Sequence, residues 1–586
     1  MKSSFLARSY RPVYFSKGRR RGALLTGAVL AWGAFFGCSD PNPADSDSPQ
    51  VGVGGSGVGG GGSSTAATGG AAGGSGGTPG AGGGGSSPGG GGAAAGGESA
   101  GGVSGTGGGS GGGMTGSGGE STGGLSGSGG APVSSDPTVQ LSDVRQTIRG
   151  FGINNNWQAI AGNANRLYGM GADELGLNIL RVGMGTDGNP YNGSSCYSDI
   201  DNVASITGQR DEPHYIMATL WSPPANCKTN NSIQNGGHLL ESCYDSWSTT
   251  IANFADKISQ NTSTTLYAMS PQNETDFASC GVSEPCNGNY DTTLFTGKEA
   301  AEFQKLVGPK LRAKGVIPMS AEASEWLHTW SNESACCSEP SGLPSSDPFD
   351  CGGFNGGAIA SHCTTDFGGY DYGHALAADP DAWAAFDILG THQYDSQVAY
   401  PWPDDVPARG DKEVWETEMS GVKWWPEQGP SSHIENGVAT ARWVHSGLVV
   451  GEANAWLWWW YQGTSTNEGL VPQGGGTTKR FYTFGNFTRY VRPGYHMVAV
   501  TGVFPEKVLV SAYTRDAGEV VIVAINETTE AQSIPITFAG GTAPTTMTPI
   551  VTSAGKNWDE GTPVAVAGPV LTMDLEAMSV TTFVSQ

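Results

Sequence analysis

The sequence is poor in basic residues and in long apolar runs, and its cysteines lack CxxC spacing. Only 30 of its 586 residues are Lys or Arg, against 54 acidic residues, so the net charge is −24. This charge argues against partners such as nucleic acid or an anionic membrane surface. It suits a secreted protein that acts on a neutral or weakly charged polymer, although an acidic composition also serves solubility.

The cysteines lack the CxxC spacing of a zinc site and lie in loop-like sequence. We interpret the nine that follow Cys38 as up to four disulfides and one remaining thiol, formed in an oxidising compartment. Cys280 and Cys286 are the most local candidate pair, and the other pairings stay open. The nine are Cys196, Cys227, Cys243, Cys280, Cys286, Cys336, Cys337, Cys351 and Cys363.

Residues 1–37 have the pattern of an export signal. Basic residues precede the apolar run 22–37, which is too short to span a bilayer comfortably. Cys38 follows a small residue at the end of this run, an arrangement similar to the cleavage site of bacterial lipoproteins. We predict a lipid anchor at Cys38 and a location at the outer membrane or cell surface. The alternative is ordinary signal cleavage and free secretion.

Residues 38–136 consist largely of Gly, Ser, Ala and Thr. Such a segment buries too little apolar surface to offset its ordering entropy, so we predict a flexible tether. Its glycines are not flanked by a strand or helix and do not predict a phosphate-binding loop. The chain from residue 137 to 586 is long enough for a barrel and a small second domain.

Eight short apolar runs recur after the tether, most of them separated by segments with helical periodicity. This repeat predicts an α/β fold, a (β/α)8 TIM barrel over residues 151–491. The runs are GFGINN, LNILRVGMG, YIMATLWSPP, TLYAMSPQNE, VIPMSAEASEW, FDILGTHQYD, EVWETEMSG and AWLWWWYQG. Polar and aromatic residues gather at their downstream ends, where such a barrel has its active site. They are Asn154, Arg181, Trp221, Asn273, Glu274, Glu325, Tyr394, Glu418 and Trp458.

A different pattern begins at about residue 492, where apolar and polar residues alternate between turns of Gly, Asp and Asn. This alternation predicts an antiparallel sheet over residues 492–586. Residues 137–150 flank the barrel on its other side, and we expect them to add a strand to that sheet. The predicted side domain is therefore an antiparallel β-sandwich formed by both ends of the folded region.

Two glutamates end apolar runs on the same predicted rim of the barrel. Glu274 closes LYAMSPQNE and Glu418 closes KEVWETE. A carboxylate beside buried strand residues is costly unless it is paired or used, and two that converge are what a glycosidase needs. Aromatic surroundings favour a protonated carboxyl, so we predict Glu274 as general acid/base and Glu418 as nucleophile. Glu416, two residues earlier on the same strand face, is the rival nucleophile.

Other side chains at the strand ends complete the predicted substrate site. We expect Tyr394 to donate a hydrogen bond to Glu418 and hold it ionised, and Arg181 to pair with it. Asn273 is placed to bond a sugar hydroxyl. His392 shares a face with Tyr394 and is either a wall residue or a participant in catalysis.

Tryptophans near the same rim offer flat apolar faces for sugar rings. We predict Trp221 and Trp458 as such residues, with Trp459 as the alternative to Trp458. The other interpretation of each tryptophan is that it belongs to the hydrophobic core.

The motifs LRVGMG, LWSPPANCKTN, LYAMSPQNE, HQYD, VWETE, LWWWY, KRFYTFGNFTRYVRPGY and SVTTFVS resemble glycoside hydrolase family 30 of clan A. The nearest branch is that of bacterial endo-xylanases that cut glucuronoxylan, and the motifs cover residues 137–586 in family order. The resemblance implies a (β/α)8 barrel with a β-sandwich side domain. It implies retaining hydrolysis of β-linked plant cell-wall polysaccharide by Glu274 and Glu418, with the carboxyls ~5–5.5 Å apart. It implies no metal or cofactor, and we expect a monomer.

The chain departs from the family pattern at three places. Thr275 replaces the usual proline, which should matter little. After the eighth run, where xylanases that need a glucuronate side group carry a basic pair, this chain reads QGT at 462–464 and the acidic Glu468 follows. This argues against a strict requirement for glucuronate. The cysteine-rich segment 330–370 is an insertion that should overhang the cleft and could change substrate choice.

Three hypotheses follow from these observations. The first is an endo-1,4-β-xylanase that acts by double displacement. The second is a β-1,6-glucanase or another β-glycanase of the same family. The third is a non-catalytic glycan-binding lipoprotein, although such a protein would have no need of both Glu274 and Glu418.

Overall fold

The computed structural model describes residues 136–586 except 235, 278–290, 331–370, 395–398, 421–431, 464–467, 473–475 and 516–517. The predicted export signal, the anchor at Cys38, the tether except for its last residue and the Cys280–Cys286 pair lie outside the described residues. So does the cysteine-rich insertion except Trp330. Within the described part of the chain, no helix has the length and apolar character needed to cross a bilayer.

The first described strand, β1 (Thr138–Thr147), belongs to a side sheet, and the chain then enters a barrel of eight parallel strands. Each of the eight predicted apolar runs contains one barrel strand, so the predicted fold class is confirmed. The barrel strands are β2 (Gly150–Asn154), β3 (Ile179–Met184), β4 (Tyr215–Leu220), β5 (Ala268–Met269), β6 (Ile317–Pro318), β7 (Ile388–His392), β8 (Glu413–Met419) and β9 (Ala455–Trp460).

The barrel closes between β6 and β7. Parallel bridges join Met319 to Ile388 and Ala323 to Thr391, and Ser320 N donates to Ile388 O at 2.8 Å. The last barrel strand, β9, pairs with β8 on one side and with the first barrel strand, β2, on the other. A closed sheet has no free edge, and the downstream ends of all eight strands meet at one rim.

Helices in the connections cover the outside of the barrel. In the helix Gly297–Ala313, Phe303, Val307 and Leu311 recur every four residues and are buried. The described α-helices are α1 (Ala164–Tyr168), α2 (Ser194–Gly208), α3 (Tyr244–Asn261), α4 (Gly297–Ala313), α5 (Trp326–Trp330), α6 (Tyr372–Ala378), α7 (Pro380–Ala384), α8 (Ile434–His445) and α9 (Lys479–Thr488). Short 3-10 helices span Ala161–Asn163, Ala225–Cys227 and Glu241–Cys243, and a π-helix, Ser446–Val450, extends α8.

Apolar side chains from the barrel strands form a separate cluster at the lower end of the barrel. On several of these strands the residue two positions downstream is polar, for example Arg181 after Ile179, Thr219 after Met217 and Ser270 after Ala268. A polar layer therefore rests on an apolar one. The apolar cluster consists of Ile179, Met217, Ala268, Met319, Ile388, Trp415, Ala455 and Leu457.

Both ends of the described chain build the ten-stranded side sheet. Its pairs are antiparallel except that β1 runs parallel to the strand Gln532–Ala539, so the sheet is mixed and not purely antiparallel as expected. A strand that comes from a distant part of the chain is not constrained by a hairpin connection. The other strands are β10 (His496–Thr501), β11 (Val508–Thr514), β12 (Val520–Asn526), β13 (Gln532–Ala539), β14 (Thr546–Thr552), β15 (Asp559–Glu560), β16 (Val564–Ala565), β17 (Val570–Leu575) and β18 (Ser579–Ser585).

The side sheet is packed firmly against the barrel through β12 and β18. In β12, Val521, Val523 and Ile525 belong to the barrel core, while the intervening residues belong to the core of the side sheet. Asn486 on α9 donates to Ile550 O at 3.1 Å and to Thr582 Oγ1 at 3.0 Å. Both faces of β12 are therefore covered, which explains its unbroken run of apolar residues.

One disulfide joins the described cysteines, between Cys227 and Cys243. It connects the loop after β4 to the start of α3. Cys196 on α2 is buried and unpaired among the described cysteines.

Candidate active site

Glu274 and Glu418 meet at the downstream rim of the barrel, with the His392 imidazole between them. Glu274 follows β5, Glu418 lies near the end of β8, and the two residues are 6% and 3% exposed. His392 Nδ1 lies 3.2 Å from Glu274 Oε1, and its Nε2 lies 3.8 Å from Glu418 Oε2. An oxygen of each carboxyl and a nitrogen of His392 lie within 4.8 Å of one another. This matches the ~5–5.5 Å carboxyl spacing of retaining glycosidases better than the ~6.5–9.5 Å of inverting ones.

The backbone of Glu274 is strained. Its φ of 41° lies in the left-handed region, which costs a residue other than glycine on the order of 1–3 kcal/mol. Neighbouring hydrogen bonds fix this conformation: Asn273 N donates to Leu220 O at 2.8 Å, and Thr275 N donates to Glu322 O at 3.0 Å. A proline at position 275 would have no N–H to donate, so this bond requires another residue there. Strain of this kind concentrates at functional sites.

Each oxygen of Glu418 accepts a hydrogen bond from a different side chain. Arg181 Nη1 donates to Oε2 at 2.6 Å, and Tyr394 Oη donates to Oε1 at 3.0 Å. Burial raises the pKa of Glu418 above its ordinary value, while Arg181 acts in the opposite direction. The carboxylate is thus oriented by two donors without being made a weak base.

Arg181 lies fully buried at the centre of the polar layer. Its Nη2 donates to Asn273 Oδ1 at 2.5 Å and to Glu322 Oε2 at 3.1 Å. Burial opposes the charge of this guanidinium, but Glu322 and Glu418 together raise the pKa of Arg181 above its ordinary value. Burial likewise opposes the charge of Glu322, and Arg181 outweighs it and lowers the pKa of that carboxyl. The pair of Arg181 and Glu322 therefore stays ionised.

Glu322 is a site residue that the sequence analysis missed. Its Oε2 also accepts a hydrogen bond from Thr219 Oγ1 at 2.7 Å. The strand β6 is only two residues long, so the alternation of side chains is lost before Glu322. Its signal in the sequence was a carboxylate within an apolar run, which is costly unless it has a partner.

Only one of the two polar side-chain atoms of Asn273 has a hydrogen-bond partner among the described residues. Arg181 fixes Oδ1, and Nδ2 is buried with no hydrogen-bond partner among the described residues. A buried donor in this state costs about 1–3 kcal/mol until an acceptor reaches it. A hydroxyl of a bound ligand would supply that acceptor.

His392 is neutral in this site. Burial lowers the pKa of its imidazole below the ordinary value. Arg181 Nη2 lies 3.5 Å from Nε2, and because a guanidinium only donates, Nε2 is the acceptor and Nδ1 carries the proton toward Glu274. His392 therefore contacts both carboxyls and is more than a wall residue.

Glu416 is buried away from Glu274. Its Oε2 accepts a hydrogen bond from Leu457 N on β9 at 3.2 Å. Burial raises the pKa of Glu416 well above its ordinary value, which favours the protonated form of this carboxyl. The pairing of β8 with both neighbours shifts register downstream of Glu416, so the two glutamates are not equivalent positions on one regular strand face.

An aromatic wall of Trp157, Tyr191, Trp221, Trp459 and Trp460 lies beside Arg181. The Arg181 guanidinium is 5.2 Å from the Trp221 ring centroid and 5.9 Å from that of Trp459. Trp221 is fully buried, whereas Trp157 and Tyr191 are half-buried and pack against it at 5.0 and 5.6 Å. The accessible faces of this wall therefore belong to Trp157 and Tyr191, which the sequence analysis did not identify.

Trp458 does not face the site, which corrects the expectation for this residue. It packs against Trp443 of α8 at 6.5 Å and belongs to the core between the barrel and its helices. Leu457 and Trp459 on the same strand point inward, and side chains alternate along a strand. Trp459, together with Trp460, thus joins the aromatic wall from β9.

Behind Glu274, a charged histidine links two acidic residues. His328 Nδ1 lies 2.6 Å from Asp276 Oδ2, and Nε2 lies 2.9 Å from Glu325 Oε1. Burial opposes the charge, but the hydrogen bonds to these two carboxylates raise the pKa of His328 to about 10. Asp276 also accepts from Ser324 N at 2.8 Å. Glu325, a candidate strand-end residue, therefore serves to support the segment that carries Glu274.

Glu274, His392 and Glu418 have the ligand types and the spacing of a metal site. However, Glu418 Oε2 already binds Arg181 Nη1 at 2.6 Å, and His392 Nε2 lies 3.5 Å from the same guanidinium. A metal ion here would stand beside a fixed positive charge. The donor set therefore suits an organic substrate better than a cation.

The segment after β9 offers no basic side chain to the rim. The sequence contains no Lys or Arg from Ala455 to Thr478. Glu468 is buried, and Arg480 on α9 donates to Asn436 Oδ1 at 2.9 Å, on the outer side of the barrel wall. Burial lowers the pKa of Arg480 to about 9.

Comparisons with known proteins identify relatives over most of the described chain. No protein-family model matches the sequence. The glucuronoxylanase XynC of Bacillus subtilis (strain 168) is 27% identical over 467 residues, which cover 77% of this chain and 92% of that protein. The family 30 subfamily 8 xylanase Xyn30A of Clostridium acetobutylicum superposes with a TM-score of 0.58 at 26% identity, over 77% of this chain and all of that one. The family 30 endoxylanase of Clostridium papyrosolvens C71 gives the same values.

Proposed function

Because the chain belongs to glycoside hydrolase family 30, we propose that it is a retaining endo-1,4-β-xylanase acting on xylan or glucuronoxylan. The observation that supports this most strongly is the pair of buried carboxyls, Glu274 and Glu418, whose nearest oxygens lie within 4.8 Å. In this proposal Glu274 is the acid/base and Glu418 the nucleophile.

In the first step, a Glu418 oxygen attacks the anomeric carbon of the sugar bound in the gap. The bond from that carbon to the glycosidic oxygen breaks, and Glu274 gives its proton to the leaving oxygen. The product is a covalent glycosyl ester on Glu418. Arg181 and Tyr394 fix the carboxylate for this attack at 2.6 and 3.0 Å.

In the second step, water attacks the same carbon from the side vacated by the leaving group. Glu274, now ionised, takes the proton of that water, and the ester bond to Glu418 breaks. The two inversions give net retention at the anomeric carbon. The buried Nδ2 of Asn273 supports this scheme as a donor to a hydroxyl of the sugar in the gap.

Substrate rings are proposed to stack on Trp157 and Tyr191, whose faces are half-buried. Trp221 and Trp459 lie behind these two residues and shield Arg181 from water. Since no Lys or Arg lies between Ala455 and Thr478, we propose that cleavage does not require a glucuronate side group.

The protein is further proposed to be exported and to act as a monomer. Cys38 would carry a lipid anchor, and the Gly-rich segment to residue 136 would be the tether between that anchor and the enzyme. Mass spectrometry of the membrane fraction would detect the lipid-modified Cys38. An unmodified protein found only in the culture medium would exclude the anchor.

The proposal is tested by release of reducing ends from unsubstituted xylan, glucuronoxylan and β-1,6-glucan. We expect cleavage of both xylans, and none once Glu418 is replaced by Ala. The matched control is Glu416→Gln, which should stay active because burial raises the pKa of Glu416 and favours its neutral form. Cleavage of β-1,6-glucan alone would identify the second hypothesis. If no glycan is cut while Glu274→Gln binds xylan as tightly as the parent, the protein is a binding protein.

A further inference from the structure

Glu322 and Glu418 share one guanidinium. Arg181 Nη2 donates to Glu322 Oε2 at 3.1 Å, and Nη1 of the same group donates to Glu418 Oε2 at 2.6 Å. All three side chains are at most 3% exposed. Arg181 therefore bridges two buried carboxylates through separate nitrogens.

A nucleophilic carboxylate has two conflicting requirements. It must be ionised at working pH, which a nearby cation favours, and it must remain basic enough to attack carbon, which the same cation opposes. A second carboxylate on the cation relieves this conflict because it offsets part of the positive field. Glu322 is placed to do this, and Thr219 Oγ1 donates to it at 2.7 Å, so its own charge is stabilised.

We propose that Glu322 is a positioning residue that shares the positive charge of Arg181 with Glu418 and so keeps Glu418 an effective nucleophile. The inference deepens the proposed function and depends on the assignment of Glu418 as nucleophile. It gives a purpose to a buried charge for which the proposed mechanism has no other role.

The directions of the pKa shifts agree with this division. Arg181 lowers the pKa of Glu322 against the effect of burial, whereas burial keeps the pKa of Glu418 raised despite the same cation. The titratable and charged groups that face Glu418 from the surrounding elements are Arg181, Glu274, Glu322, His392, Tyr394 and, on its own strand, Glu416.

The test is the pH dependence of inactivation by a 2-deoxy-2-fluoro-xylobioside, which traps the nucleophile as a stable ester. The variant is Glu322→Gln, which keeps an oxygen for Arg181 and Thr219 but removes the charge. In this variant the positive charge of Arg181 acts on Glu418 alone, so the pKa of Glu418 falls. We expect the acid limb of the inactivation rate to move to lower pH by about one unit, and the plateau rate to fall severalfold.

Two further variants separate charge from shape. Glu322→Asp keeps a charge near Arg181 and should keep the acid limb of the parent. Glu416→Gln, a change at an equally buried but neutral carboxyl, should also leave it in place. If Glu322→Gln does not fold, Thr219→Val replaces it. Loss of the Thr219 hydroxyl raises the pKa of Glu322 and should also move the acid limb to lower pH.

Several outcomes would overturn the inference. An acid limb that stays in place, or moves to higher pH, while the rate of Glu322→Gln falls would mean that Glu322 only holds Arg181 in position. Mass spectrometry of the parent identifies the esterified residue. A sugar ester on a residue other than Glu418 would overturn the proposed function itself, and this outcome is distinct from an ester on Glu418 with an unmoved acid limb.

Discussion

Replacing Arg181 by methionine removes the cation that two buried carboxylates share. The guanidinium pairs with Glu418 at 2.6 Å and with Glu322 at 3.1 Å, and both carboxylates are at most 3% exposed. Removing one partner from a buried ion pair costs about 3–5 kcal/mol, since the remaining charge has neither water nor a partner. One pKa unit corresponds to about 1.4 kcal/mol, so the loss is equivalent to about two to four units of pKa rise distributed over the two glutamates.

This loss of stability must depend on pH, and its sign follows from the pKa shifts. In the parent, the lowered pKa of Glu322 contributes stability that is present above the unfolded-state pKa of about 4.3 and is lost as the pH falls. In Arg181→Met the folded-state pKa values of both carboxyls lie above the unfolded values. The variant is therefore penalised as the pH rises and these groups must ionise. We expect a small difference in the free energy of unfolding near pH 4.5 and nearly the full loss near pH 7.5.

Urea denaturation of parent and variant at the two pH values measures this difference. The double variant Arg181→Met with Glu322→Gln should recover part of the loss at the higher pH, because one uncompensated charge is removed. The acid limb of activity in Arg181→Met should move to higher pH, since Glu418 must be ionised to attack. Equal destabilisation at both pH values, or no recovery in the double variant, would refute the electrostatic reasoning.

Two further predictions concern the aromatic wall and the disulfide. Trp459→Ala should raise KM for xylan because it removes support for the aromatic wall. Trp458→Ala should leave KM unchanged and lower the free energy of unfolding by about 3–5 kcal/mol, because it opens a cavity in the core. Equal changes of KM in the two variants would contradict the placement of these residues. Cys227→Ser should lower the free energy of unfolding by about 3 kcal/mol, since the bond to Cys243 closes a loop with a separation of 16 residues. Unchanged urea midpoints in oxidising buffer would contradict it.

The barrel could be predicted because its strands are short apolar runs between polar turns. A parallel sheet that is covered on both faces needs strands that are apolar throughout, and these runs supply them. The run YIMATLWSPP, for example, contains β4. The strand-end position of Glu274 and Glu418 follows from the same rule, since the downstream ends of all barrel strands meet at one rim. The mixed character of the side sheet could not be predicted, because it depends on where β1 inserts between β10 and β13.

Which side of a strand faces the site was less accessible to sequence reasoning. Trp458, Trp459 and Trp460 are chemically identical neighbours, and the choice between them depends on Leu457 pointing into the barrel. Glu322 lies beyond a strand of two residues, where alternation no longer applies. The strained φ of Glu274 is imposed by tertiary hydrogen bonds and leaves no trace in the local sequence.

The most direct test of the account is the configuration of the sugar first released from a xylo-oligosaccharide, followed by proton NMR before mutarotation. The short distance between Glu274 and Glu418 leaves no room for a water between them on the attacking face, so double displacement and a β-anomer are predicted. Initial release of the α-anomer would show single displacement and would contradict the assignment of Glu418 as nucleophile.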